Sequence, residues 1–322
     1  MRRRATTVLA LGAASLSCSL FAQTYPNKPL KMILPFPAGG PTDIVARAMG
    51  QGLAEALGHN VVIDNRPGGG GMIGATLAAR SAPDGYTLLL GGITTFGVAP
   101  SVHKNPPYDS IKDFQPVTLA TRQPIMLMTH PSLPAKSLKE FIALAKARAG
   151  EINYASSGPG GSGHMAGELF KLTTGVNLVH IPYKGAPPAL NELIAGQVQV
   201  LFGTILITAP HVRSGRVRAL AITGSQRSSA LPEVLTFAEA GLAGYDASSW
   251  NGILVPAGTP RAIVDRLNTE LVRILKSASV QERLAQDGAL PAPSTPEEFA
   301  AFIKSEIAKW SKVVHAANIR ID

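Results

Sequence analysis

The sequence predicts an α/β protein built from two units, each with a mainly parallel sheet and flanking helices. From Leu30 onward, apolar strands alternate with amphipathic helices through glycine-rich turns, which is typical of parallel sheets covered on both faces. The alternation runs through two successive series, each the length of a small domain of about 100 to 125 residues.

The first series opens with the apolar strand Leu30–Pro35. A helix over Thr42–Leu57 follows, because its apolar residues recur on one face and Gly58 ends it. The other elements predicted in this series are a strand at Val61–Asp64, a helix at Met72–Arg80 and a strand at Thr87–Leu90.

The second series begins with a strand at Ile125–Thr129 and a helix introduced by the capping box of Ser137 and Glu140. Its remaining predicted elements are a strand at Ile152–Tyr154, a turn at Ser156–Gly163, a helix at His164–Thr173, a strand at Leu178–Ile181, a helix at Gly185–Ala195 and strands at Val198–Phe202 and Arg218–Thr223. The closing helices are Arg261–Lys276 and Pro296–Val314, the second after a capping box of Thr295 and Glu298, and we expect them to return to the first unit.

Two apolar stretches need separate treatment. Residues 1–22 have the pattern of a secretory signal, with three arginines, an apolar stretch at Val8–Leu20 and predicted cleavage after Ala22; lipid attachment at Cys18 is disfavoured by its poor flanking motif. Leu193–Pro210 carries no charge over 18 residues, but polar interruptions and alternation favour a buried strand plus loop over a membrane helix.

Composition excludes several classes of protein. With 45% hydrophobic and 16% charged residues in 322, the chain is neither disordered, collagen-like nor a coiled coil. Its one cysteine excludes disulfides within the chain and cysteine-based metal sites. The net charge of +9 is scattered, and the densest basic stretch, Arg213 to Arg218, has no interleaved aromatics, so we expect no nucleic-acid partner.

Three glycine-rich turns stand where a strand meets a helix, at Pro37–Pro41, Gly68–Gly71 and Gly158–Gly163. Any one of them could be a tight turn only. Three at corresponding strand ends favour a site for a small anion, because helix N-termini present free backbone N–H groups.

Other chemistries fit the residues less well. Two of the turns match the dinucleotide pattern Gly-x-Gly-x-x-Gly, but neither is followed by a suitably placed carboxylate. Ser162 and His164 suggest a nucleophile and base, yet the surrounding residues do not form Gly-x-Ser-x-Gly. His164 and Glu168 could share a metal, but no third ligand is evident, and we expect Trp250 to belong to the core.

The chain resembles the Bug or TctC-like solute receptors of tripartite tricarboxylate transporters, over essentially the whole mature length. The matching motifs are Tyr25-Pro26-x-Lys28-Pro29, Pro35-Phe36-Pro37-Ala38-Gly39-Gly40-x-Thr42-Asp43, Asn65-Arg66-Pro67-Gly68, Pro83-Asp84-Gly85-Tyr86-Thr87-Leu88, Pro107-Tyr108-Asp109, Lys112-Asp113-Phe114-x-Pro116-Val117, Asn153-Tyr154-Ala155-Ser156, His164-x-Ala166-Gly167-Glu168-Leu169-Phe170, Pro182-Tyr183-Lys184-Gly185, Pro256-Ala257-Gly258-Thr259-Pro260 and Lys309-Trp310.

This resemblance implies a periplasmic binding protein of two lobes that closes on its ligand, with lobe 1 at residues 24–121 plus 246–322 and lobe 2 at 122–245. It implies a monomer that binds a small carboxylate between the lobes and hands it to a membrane permease, without cofactor, metal or catalytic residues. The implied ligand residues are Phe36, Pro37, Ala38, Gly39, Gly40, Thr42 and Asp43 in the first lobe, and Ser156, Ser157, Gly158, Gly160, Ser162, Gly163, His164, Tyr183, Gly185 and Thr204 in the second.

One motif departs from the family pattern. Where many members have two aspartates, this chain has Gln199 and Gly203, which favours a carboxylate without an amino group. A sensory binding protein and a secreted enzyme that uses Ser162 or His164 are the alternative functions.

Overall fold

The computed structural model describes residues 25–286 and 288–320, so the predicted signal peptide lies outside the described residues. The strands are β1 (Leu30–Leu34), β2 (Val61–Asn65), β3 (Thr87–Gly92), β4 (Phe114–Gln123), β5 (Ile125–Thr129), β6 (Ile152–Ser156), β7 (Leu178–Pro182), β8 (Val200–Thr204), β9 (Arg218–Ile222), β10 (Ser249–Pro256) and β11 (Leu290–Pro291). The helices are α1 (Pro41–Leu57), α2 (Met72–Ala79), α3 (Ala99–Val102), α4 (Leu138–Ala147), α5 (Ser162–Thr174), α6 (Ala186–Ile194), α7 (Ile205–Arg213), α8 (Arg261–Leu275), α9 (Ala278–Gln286) and α10 (Pro296–Ala316).

Two separate sheets confirm the two-lobed α/β prediction. The first lobe contains the sheet β11-β4-β10-β3-β1-β2, and the second contains β7-β6-β8-β5-β9. Both sheets are mixed, which corrects the expectation of mainly parallel pairing: β1 is parallel to β2 and β3, and β6 to β7 and β8, whereas β10, β11, β5 and β9 pair antiparallel. The antiparallel strands are largely those where the chain changes lobe.

Local sequence signals account for several helix ends. Gly58 ends α1 in a left-handed conformation and donates its N–H to the Ala54 carbonyl. Thr295 and Glu298 form the predicted capping box of α10, with reciprocal bonds of 3.1 and 2.9 Å. Ser137 caps α4 by accepting from the Glu140 N–H at 3.2 Å.

The uncharged stretch Leu193–Pro210 contains the predicted buried strand, but the loop expected after it is wrong. Those residues form α7, which continues directly from β8. Ile205 and Ala209 are buried in the apolar cluster of the second lobe, and tertiary packing of this kind outweighs the low helix propensity of a segment that contains Pro210. No helix among the described residues is both long and apolar enough to span a bilayer.

The apolar core is continuous between the lobes. One cluster covers a face of the first sheet and reaches Phe170 and Phe202 in the second lobe. Trp250, 1% exposed, belongs to this cluster and donates its indole N–H to the buried Glu306 at 2.8 Å, which confirms its expected place in the core. A second cluster lies between the other face of the first sheet and α1, α8 and α9.

Candidate functional site

The glycine-rich turns lie at one edge of each sheet. The parallel strands β1, β2 and β3 end respectively at α1, at a 3₁₀ turn (Gly69–Gly71) before α2, and at a π-helical segment (Ile93–Val98). In the second lobe, β6, β7 and β8 lead into α5, α6 and α7. Helix N-termini present partly positive N–H groups, and open α/β sheets bind ligands at this edge, so both edges suit a carboxylate.

The chain passes from the first lobe to the second between β4 and β5, and this crossing joins the two edges. Because β10 is antiparallel to both β3 and β4, the end of β4 lies at the same edge as the end of β3. β4 ends at Gln123, and after Pro124 the strand β5 begins at Ile125, which pairs with Thr204 at the end of β8. The two ligand edges therefore meet at the crossing.

Asp43 organises the first-lobe loop from within. The residue is 3% exposed, and its carboxylate accepts bonds from Gly39 N–H at 3.0 Å, Asn65 Nδ2 at 3.0 Å and Arg47 Nε at 2.7 Å. Asn65 also donates to the Phe36 carbonyl at 3.1 Å, so the loop is tied to β2 as well as to α1. Burial acts to raise the pKa of Asp43, but the bonds from Arg47, Gly39 and Asn65 outweigh it and lower that pKa.

The geometry therefore favours a positioning role for Asp43. Its oxygens are already used by the protein. At Gly40, the N-cap of α1, an added Cβ would make only an ordinary contact, 3.8 Å from Pro37 O. Gly39 has a φ of +80°, which favours glycine at this turn.

In the second-lobe turn, a buried serine and two histidines hold the backbone. Ser156 Oγ accepts from Gly158 N–H at 3.2 Å and lies 2.7 Å from His180 Nε2, to which we assign its hydroxyl proton. Gly160 N–H donates to His164 Nδ1 at 3.0 Å, so that nitrogen carries no proton. The turn Ser156–Gly160 is thus anchored at two points on imidazole rings.

The two rings form part of an aromatic stack in which His164 is buried and His180 is half-buried. His164 lies parallel to His180 with ring centres 4.0 Å apart, and Tyr154 stacks on His180 at 4.8 Å. Burial lowers the pKa of each histidine to about 4, with a smaller contribution to His164 from Lys171 and to His180 from His164. Both rings are therefore neutral near pH 7, as the hydrogen bonds require.

The remaining predicted residues of the second lobe lie around this turn. Tyr183 N–H donates to the Ser156 carbonyl at 3.1 Å and Gly185 N–H to the Ser157 carbonyl at 3.2 Å, which brings the start of α6 to the turn. Gly163 serves packing: an added Cβ would lie 2.4 Å from Phe202 O. Ser162 is the first residue of α5, and Thr204 precedes α7. Ligand contact by these residues stays a prediction.

The alternative chemistries gain no support from this geometry. His164 Nδ1 is committed to Gly160, and Glu168 accepts from Tyr154 Oη at 2.6 Å and Lys171 Nζ at 2.9 Å. Across residues 25–286 and 288–320, no group of three His, Cys, Asp or Glu side chains could hold a metal ion.

Sequence reasoning missed Asn65 and His180 as positioning residues. Asn65 stands in the motif Asn65-Arg66-Pro67-Gly68, which offered a signal, whereas His180 lies 24 residues from Ser156 and only the pairing of β6 with β7 brings them together. A cavity of about 940 Å³ lies elsewhere, against Arg218 and Ser137. Since Arg218 pairs with Thr129 at the end of β5, this cavity is at the opposite end of the second sheet from Thr204.

Two sheets joined at such paired edges define the class of two-lobed solute-binding proteins. The model of the tripartite tricarboxylate transporter family receptor (TctC) matches residues 45–319. The chain belongs to this family of periplasmic solute-binding proteins, as the sequence motifs indicate.

Named relatives agree with this assignment. Protein BugT of Bordetella pertussis strain Tohama I is 39% identical over 312 residues, which are 97% of this chain and 96% of the relative. The structure of R. palustris Rpa4515 with adipate has a TM-score of 0.80 at 36% identity and covers 92% of this chain and 99% of that one. MatC (Rpa3494) from Rhodopseudomonas palustris with bound malate has a TM-score of 0.76 at 35% identity, covering 90% and 100%.

Proposed function

We propose that this protein is a periplasmic receptor that binds a small di- or tricarboxylate or related organic acid between its lobes and delivers it to the membrane subunits of a tripartite tricarboxylate transporter. The main support is the meeting of two sheet edges rich in helix N-termini at the lobe crossing. Family relatives with adipate and with malate support the carboxylate class. In this proposal the protein acts as a monomer, without a catalytic step.

Recognition of the carboxylates rests on backbone N–H groups. The Phe36–Asp43 loop would hold one end of the ligand and the Ser156–His164 turn the other. Asp43 is bonded to Arg47 and the two histidines are neutral, so these groups add little formal charge, and the loops supply hydrogen bonds and helix dipoles.

The test is calorimetry on residues 23–322 with mono-, di- and tricarboxylates and acidic amino acids, together with thermal unfolding. A ligand at 100 times its Kd stabilises the folded state by about 2.7 kcal/mol. Gly40→Leu should abolish binding, because its side chain would occupy the space beside the loop, and Gln51→Leu on the exposed side of the same helix is the control. Binding of none of these acids would contradict the proposal.

Delivery is tested separately by uptake of the bound acid into cells that express or lack this protein. Uptake that does not depend on the receptor, or on the membrane subunits, would contradict the transport role while leaving the binding role intact.

A further inference from the structure

A row of buried polar side chains lies where the first sheet meets the crossing. Gln123, Ser249 and Asn251 are 6%, 8% and 4% exposed. Gln123 pairs with Ser249, and Asn251 with Thr121, so these side chains share one face of the sheet. Their sequence neighbours lie on the other face, where Trp250 donates a hydrogen bond to Glu306 of α10 and Arg122 lies over the Phe302 ring.

This row lies at the ligand edge. Asn251 pairs with Gly92 at the end of β3, so the row stands at the same edge as the Phe36–Asp43 loop. At its other end, Gln123 is two positions from Ile125, the partner of Thr204. The lobes also come together nearby, since Gly288 lies against Ile205 at the start of α7. The row therefore lies beside the crossing, at the same edge as the two predicted carboxylate loops.

Gln123 Nε2 is buried there without a hydrogen-bond partner. Three other buried side-chain atoms in the described part of the chain are also unpartnered: Ser110 Oγ, Thr129 Oγ1 and His211 Nδ1. None of the three is at the ligand edge. Ser110 precedes β4, at the opposite end of the first sheet, Thr129 pairs with Arg218 at the far end of the second, and His211 lies in the last turn of α7.

A buried amide donor with no partner costs free energy, and an oxygen atom of a bound ligand or an ordered water that accepts its N–H bond removes that cost. The carboxylates at the two ends of a ligand are expected at the loops, so the group facing Gln123 belongs to the middle of the ligand. A methylene chain cannot accept the N–H bond, whereas a hydroxyl or keto oxygen can, and a hydroxyl can also donate to Ser249 or Asn251.

We propose that Gln123, Ser249 and Asn251 form the floor of the ligand cleft and select a carboxylate with a hydroxyl or keto oxygen on its carbon chain, Gln123 Nε2 donating to that oxygen. This inference rests on the proposed function and adds the residues that choose among carboxylates. It favours hydroxy acids over unsubstituted acids of equal length.

The test compares matched ligands that differ by one hydroxyl, succinate against malate and glutarate against 2-hydroxyglutarate, by calorimetry. The unmodified protein should bind the hydroxy acid of at least one pair about tenfold or more tightly, since a site built to hydrogen-bond a substrate hydroxyl rejects the analogue that lacks it. In Gln123→Met, a substitution of similar size, the ratio of the Kd for the unsubstituted acid to the Kd for the hydroxy acid should fall below about threefold. The ligand-free variant should melt at a higher temperature, because an unsatisfied donor has been removed.

Thr129→Val is the matched control, since it removes the unpartnered Oγ1 far from the cleft. It should raise the melting temperature and leave the ligand ratio unchanged. An unsubstituted acid bound as tightly as its hydroxy partner, or a ratio that survives in Gln123→Met, would overturn the inference while the receptor function stands. Failure of every carboxylate to bind the unmodified protein would overturn both.

Discussion

Gly163 is predicted to act through packing, and replacing it with alanine tests this directly. The added Cβ would lie 2.4 Å from Phe202 O, so the start of α5 must move away from β8 by about 1 Å to reach an ordinary contact. Overpacking of this kind against backbone costs about 3 kcal/mol, and the better helix propensity of alanine returns at most about 1 kcal/mol. The expected net loss is about 2 kcal/mol.

The assay is urea unfolding together with thermal melting. At about 2.1 cal/mol/K per residue, a chain of this size has an unfolding entropy of roughly 0.6 kcal/mol/K, so the melting temperature should fall by about 3 °C. Gly40→Ala is the comparison: it adds the same Cβ at another predicted ligand glycine, which has a φ of −83° and where the Cβ would make only an ordinary contact of 3.8 Å with Pro37 O. It should lose at most the roughly 1 kcal/mol of a poorer helix cap. A Gly163→Ala protein with unchanged stability and weakened ligand binding would refute the packing argument.

Two further predictions concern buried ionisable groups. Asp43→Asn should lower the unfolding free energy at pH 7 by about 2 to 3 kcal/mol, because the charge-assisted bonds to the carboxylate are lost. In urea unfolding, the stability difference between the variant and the unmodified protein should narrow as the pH falls below 3.8, the ordinary pKa of an aspartate. A difference independent of pH would contradict it. Since His164 has a folded-state pKa of about 4 against an ordinary 6.5, its contribution to stability is fully present above pH 6.5 and is lost toward pH 4, up to about 3 kcal/mol. His164→Gln should reduce this pH dependence in urea titrations, while the part that His180 contributes remains; equal slopes in the two proteins would count against the assignment.

Regular elements with local signals could be predicted from the sequence. The alternation from Leu30 to Leu90 gave β1, α1, β2, α2 and β3, and the capping boxes placed the starts of α4 and α10. β4, β10 and α9 were missed. β10 is buried along its whole length, and its place between β3 and β4 depends on pairing across more than a hundred residues, which no local pattern encodes.

The candidate site was predictable as a set of turns but not in the roles of its side chains. Gly39 and Gly160 have positive φ angles, as expected of glycine turns. The family resemblance implies Asp43, Ser156 and His164 as ligand residues, and in the structure polar atoms of all three are bonded to protein partners. The partners Asn65 and His180 lie 22 and 24 residues away along the chain and are adjacent only once the strands pair.

The shared apolar core has a consequence for how the protein can be divided. α5 starts at the second-lobe turn, Tyr245 Oη donates to its Ala166 carbonyl at 2.7 Å, and the helix packs on α10 of the first lobe. Neither lobe can be excised without baring the apolar surface that the other covers, so we expect the halves to be insoluble when expressed separately. The intact chain should melt in one transition, and a stabilising ligand at the cleft should protect amide hydrogens from exchange in both sheets at once.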